Sequence, residues 1–241
     1  MTLLPALPIL ATLISFPALC QTPYGIPKRV PWTTSKLVGS PEPPRKFRLR
    51  RAFGQLRFDK PVFLAEDPST KRLYVSEYGG LIYGFEPNNP ESTKYLFLET
   101  KRRISAFSFH PKYADNGYVF VFSDADPKIR GKQQSRVSRF QREPNSNPPR
   151  LLPESETIII EWPGGGHNGG EAIIGPDGFL YITTGDGTSG SDVNATGQSM
   201  DDLLAAMIRI DVDHPDPGRN YSIPKDNPFV NMPHHDTQHG E

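Results

Sequence analysis

The segment Pro163-Gly-Gly-Gly-His-Asn-Gly-Gly-Glu171 sets one imidazole in a run of glycines. Glycine lets a backbone come close to a ligand and leaves a neighbouring side chain uncovered. His167 is therefore a candidate general base, able to take a proton near neutral pH. The competing reading is a loop histidine that hydrogen-bonds backbone to hold a turn. Residues 164–169 also match G-x-G-x-x-G literally. A dinucleotide site needs that motif between a strand and a helix. Here the strand-like stretch 157–162 precedes it and another strand-like stretch follows, so the dinucleotide reading is rejected, and no Walker A pattern occurs.

A second stretch, Thr183-Thr-Gly-Asp-Gly-Thr-Ser-Gly-Ser-Asp-Val-Asn194, alternates oxygen-bearing side chains with glycine, as calcium loops do. It lacks EF-hand spacing, and reads as a solvated, turn-rich loop. Asp211, Asp213 and Asp216, with His214, His234, His235 and His239, have no spacing that defines a metal site. Asn194-Ala-Thr196 and Asn220-Tyr-Ser222 match the N-glycosylation pattern.

What must position these residues is a repeat. One copy runs Pro61-Val-Phe-Leu-Ala-Glu-Asp-Pro68 and then Arg72-Leu-Tyr-Val-Ser-Glu77. The next runs Ile104-Ser-Ala-Phe-Ser-Phe-His-Pro111 and then Tyr118-Val-Phe-Val-Phe-Ser123. A third runs Glu171-Ala-Ile-Ile-Gly-Pro176 and then Phe179-Leu-Tyr-Ile-Thr-Thr184. Each is an apolar strand, a Pro-containing turn and a second strand rich in aromatic and β-branched residues. Asp67-Pro68-Ser69, Asn116-Gly117 and Asp177-Gly178 are hairpin signals. Outer strands are expected at 81–85 and 95–98, at 136–141 and 157–162, and at 207–212. Each unit thus predicts a four-stranded antiparallel sheet, and the whole an all-β propeller of about three blades, with a long insertion at 124–155. The first strand of each blade lines the central channel, and the loop entering it opens at one channel end, which is where His167 lies. A β-sandwich is the alternative. Three blades cannot close a ring, so the chain is expected to be the N-terminal part of a longer one.

The 241 residues hold 27 Lys+Arg against 27 Asp+Glu, a balance that argues against a nucleic-acid binder working by phosphate neutralisation. The 26 Pro and 21 Gly argue against an all-α fold. A single Cys excludes a disulfide framework and a Cys-based zinc site. Residues 1–20 are uncharged and apolar and end Ala18-Leu19-Cys20, the outline of a secretory signal peptide. Residues 21–45 form a Pro-rich basic lead-in, and 46–241 the partial propeller. The expected location is secreted or periplasmic, with no membrane span in the mature chain.

Four segments then occur in order: Gly165-Gly-His-Asn-Gly-Gly170, Gly175-Pro-Asp-Gly-Phe-Leu-Tyr-Ile-Thr-Thr-Gly-Asp-Gly187, Leu203-Leu-Ala-Ala-Met-Ile-Arg-Ile-Asp211 and Ile223-Pro-Lys-Asp-Asn-Pro-Phe229. With Phe109-His-Pro-Lys-Tyr-Ala-Asp-Asn-Gly-Tyr118, they resemble the soluble quinoprotein glucose/sorbosone dehydrogenase family over about residues 46–229. That resemblance implies a six-bladed propeller that oxidises an aldose or aldehyde with pyrroloquinoline quinone (PQQ) and binds Ca2+. It implies that His167 takes the substrate hydroxyl proton while hydride passes to the quinone, with a cytochrome as candidate electron acceptor. It places Lys101, Gly166 and Asn168 at the cofactor. The family has Asp where Gly166 stands and Gln where Lys101 stands. Its calcium loop and remaining cofactor contacts fall later than residue 241. The rival reading is a non-catalytic propeller that binds carbohydrate or protein.

Overall fold

The computed structural model describes residues 49–89, 91–125, 134–188 and 190–230. The chain divides between Leu49 and Arg50, and the second unit carries everything that follows. The expected signal peptide with Cys20, the lead-in, and His234, His235 and His239 lie outside the described residues.

The described elements are strands apart from two single turns of helix. The first sheet comprises β1 (Pro61–Glu66), β2 (Leu73–Glu77), β3 (Leu81–Phe85) and β4 (Tyr95–Glu99), antiparallel and in that order. The second comprises β5 (Arg103–Phe109), β6 (Tyr118–Asp124), β7 (Gln134–Arg142) and β8 (Leu151–Pro163), again in order. In the third, β9 (Ala172–Ile174), β10 (Leu180–Thr183) and β11 (Met207–Ile210) pair in order. Each sheet is a propeller blade. Innermost strands β1, β5 and β9 lie side by side, and outer strands β4 and β8 also meet.

Within each blade the turns do what their residues demand. Asp67 caps the β1–β2 turn, its carboxylate accepting from the Ser69 amide at 2.8 Å and the Thr70 hydroxyl at 2.7 Å. Gly178 closes the β9–β10 turn at φ +88, a conformation L side chains rarely adopt. Asn116-Gly117 differs from the expected hairpin turn. Residues Tyr113–Asn116 make one helical turn, α1, stopped by left-handed Gly117, whose amide donates to the Tyr113 carbonyl.

Packing joins the blades. β6 alternates: Val119 and Val121 face the cluster shared with the first blade, while Phe120 and Phe122 face the cluster shared with the third. In the latter, Trp162, Phe120 and Phe122 meet Leu180, Ile182, Ile208 and Ile210. The third blade shows three strands among the described residues rather than four. Its β11 ends at Ile210, after which Asp211 makes one bridge with Ser222. Much of the expected insertion is strand, since β7 and β8 run on into it.

Candidate functional site

The β8–β9 and β10–β11 loops lie side by side at one end of the third blade. Backbone bonds tie them, with the Gly187 amide donating to the His167 carbonyl at 2.9 Å and the Gly185 amide to the Asn168 carbonyl at 3.3 Å. The glycines serve this contact. A Cβ on Gly165 would stand 1.6 Å from the Gly187 carbonyl oxygen, and one on Gly170 would stand 1.7 Å from that of Thr183. The close approach these glycines permit is therefore of one loop to the other.

His167 sits at the lip of this ribbon with about half of its side chain exposed. Its Nδ1 lies 3.2 Å from Asp186 Oδ1, which also accepts the Thr188 amide at 2.9 Å. The Thr188 amide lowers the Asp186 carboxyl below its ordinary value against the opposing effect of burial, and His167 adds to the lowering. An ionised carboxylate only accepts, so in the neutral imidazole Nδ1 is the nitrogen that carries the proton and Nε2 the one with the lone pair. The Asp186 carbonyl is fixed in turn by the Thr196 hydroxyl at 2.8 Å. Asp192 then holds the rest of the loop, accepting from the Thr196 and Gly197 amides at 2.8 and 2.9 Å.

The other expected site residues are placed differently. Gly166 belongs to the same ribbon, its amide donating to the Gly187 carbonyl at 3.2 Å. Asn168 is buried, and its carboxamide is committed to Gly165, bonding both the amide and the carbonyl of that residue. Lys101 is exposed in the β4–β5 loop, which enters an innermost strand as the His167 loop does. Lys101 lines a crevice of about 500 Å3 with Arg102, Arg136 and Glu156, and no residue of the His167 loop lines it. In that crevice burial lowers the Arg102 guanidinium below its ordinary value, and the nearby Arg136 charge adds to this.

His110, Asp211 and Asp213 make contacts that hold the fold. His110 is buried, its Nδ1 accepting the Lys112 amide at 3.0 Å, so Nε2–H donates to Asp213 at 3.2 Å and links the second blade to the third. Burial raises the Asp211 carboxyl, but bonds from His214 and the Asp213 and His214 amides outweigh it and bring it below its ordinary value. Among the described residues no group of three or more His, Cys, Asp or Glu could hold a metal ion, and no helix is long and apolar enough to cross a membrane.

Asp186 is the partner of His167 that the motifs did not single out. Its signal was the hairpin register. Ala172 pairs with Ile182, and counting outward from that pair sets His167 opposite Gly187, beside Asp186.

The sequence profile of the family described as Glucose / Sorbosone dehydrogenase matches residues 104–238. HIPL1 protein of Arabidopsis thaliana is 29% identical over 214 residues, covering 70% of this chain and 30% of the relative. Hedgehog-interacting protein of Homo sapiens is 29% identical over 185 residues, covering 67% of this chain and 25% of the relative. The PQQ-bound aldose sugar dehydrogenase of Streptomyces coelicolor superposes with a TM-score of 0.55 at 22% identity, covering 71% of this chain and 50% of that one. The chain thus spans a third or less of these curated relatives and half of the solved structure.

Proposed function

The chain belongs to the glucose/sorbosone dehydrogenase family, and from that premise we propose that it supplies the proton-abstracting side of a sugar or aldehyde oxidation. The observation that carries this is the His167–Asp186 pair, with Nδ1 held at 3.2 Å and Nε2 open. In the proposed step Nε2 takes the hydroxyl proton of the substrate while the adjoining C–H leaves as hydride and a C=O forms. Asp186 fixes the imidazole plane and favours the imidazolium that results. PQQ, when bound, supplies the two-electron acceptor.

The donor set fits that cofactor in part. Lys101 has its ammonium exposed and makes no ion pair among the described residues, so it is the group that would meet a quinone carboxylate. Gly166 offers no side chain, and the Asn168 carboxamide is already taken by Gly165. The calcium, the cytochrome acceptor and the secreted or periplasmic location belong to this proposal as well.

A second reading is a propeller that binds a protein partner. The relative named Hedgehog-interacting protein favours it, as do the same departures at Gly166 and Lys101. One experiment separates the two. The protein, expressed at the full length its gene encodes, is titrated with PQQ and Ca2+ and assayed on aldoses with a dye acceptor. The proposal expects a shift in quinone absorbance and turnover, with His167→Ala lowering turnover by roughly 10²–10⁴-fold. No shift and no turnover would leave the binding reading in its place.

A further inference from the structure

We propose that Asn194 is an N-glycan attachment site and that Asn220, which carries the same motif, is not. Both motifs are short, and the structure separates them. Asn194 lies on an exposed turn of the β10–β11 loop, where residues 190–195 are all exposed. Its carboxamide makes no hydrogen bond with other described residues, and the following Ala195 has a left-handed backbone (φ 55). An oligosaccharide on Nδ2 therefore meets solvent.

Asn220 is exposed at its surface, but its Nδ2 donates to the Ile158 carbonyl at 2.7 Å, tying its loop to β8. Two residues on, Ser222 is paired with Asp211, both amides donating across the bridge. A sugar placed on Asn220 Nδ2 before folding would replace one of its two protons and stand against β8, so a chain that closes this loop natively is one left unmodified there.

The transfer requires a lipid pyrophosphate-linked oligosaccharide as donor. Nδ2 of Asn194 forms a bond to the anomeric carbon, the bond from that carbon to the pyrophosphate oxygen breaks, and lipid pyrophosphate leaves while Nδ2 gives up one proton. The Thr196 hydroxyl that completes the motif is buried in the fold, donating to the Asp186 carbonyl at 2.8 Å. Modification must therefore precede closure of this loop, as it does on a nascent chain. The hydroxyl that marks Asn194 for modification is later the one that fixes Asp186.

The test is translation of the whole chain with microsomes, once with its own start and once behind a fused leader for the endoplasmic reticulum. Only the protease-protected fraction is scored. The expected result is one glycosidase-sensitive unit, abolished by Asn194→Gln and by Thr196→Ala, kept by Thr196→Ser, and unchanged by Asn220→Gln. Protected chain without a unit, a unit that survives Asn194→Gln, or one lost only with Asn220→Gln overturns the proposal. Secreted Asn194→Gln protein should melt as cooperatively as the parent, because the exposed Asn194 carboxamide makes no hydrogen bond with other described residues.

Discussion

An imidazole serves as a directed base when one of its nitrogens is committed and the other is open. In the proposed role Asp186 does this for His167, so its replacement is informative. Asp186→Asn removes the charge and lets the carboxamide flip, freeing Nδ1 to be the unprotonated nitrogen. Turnover on the cofactor-loaded protein should fall at least ~10-fold, approaching the ~10²–10⁴ of losing the base itself, with KM little changed. A purely structural Asp186 would instead lower thermal stability and leave kcat per folded molecule intact. His167 was legible from sequence because glycines isolate it. Asp186 was not, because it stands among many similar oxygens and only strand register selects it. Asp67 makes a second prediction at this scale. Burial raises its carboxyl, yet the Ser69 and Thr70 hydroxyls and amides outweigh this and hold it below its ordinary value. A depressed carboxyl stabilises the fold above its unfolded value near pH ~3.9 and loses that contribution as pH falls through its folded value. Asp67→Ala should cost about 1–3 kcal/mol at neutral pH, and Asp67→Asn should flatten the fall in Tm below about pH 4.

Two adjacent loops at this distance form one element, and its glycines are the reason. A Cβ on Gly170 would overlap the Thr183 carbonyl at 1.7 Å, and one on Gly185 the His167 carbonyl at 2.1 Å. Neither obstacle is a flexible side chain, so the backbone itself must give way. Gly170→Ala and Gly185→Ala should each separate the ribbon and break the His167–Asp186 pair. The check is hydrogen exchange, with the amides of residues 166, 167, 185 and 187 losing protection while those of β5 to β8 keep theirs. An unchanged pattern would mean the loops hold together by other means. Strand positions were legible from alternation and turn chemistry, which are local. The end of β11 and the helical turn Tyr113–Asn116 were not. Gly117 stops a helix with the same left-handed backbone that closes a hairpin, so residue type alone cannot choose between them.

The three blades should unfold as one cooperative body, because the middle blade is a wall shared by two cores. Along β6, Val119 and Val121 belong to one cluster and Phe120 and Phe122 to the other, so neither can melt without exposing the back of a strand the other needs. The repeat made the blades legible from sequence. Which alternate residues face which neighbour followed only from the ring arrangement. Trp162 tests the coupling. It is 3% exposed, meets Phe122 edge-on at 5.4 Å between ring centroids, and packs where the second blade faces the third. Trp162→Ala should cost ~3–5 kcal/mol, lowering Tm by roughly 6–20 °C for a unit of this size. The transition should stay single, with far-UV and near-UV signals moving together, although tyrosines of the first blade report much of the near-UV change. If those signals part, with the first blade melting at its original temperature, the blades unfold independently and β6 does not couple them.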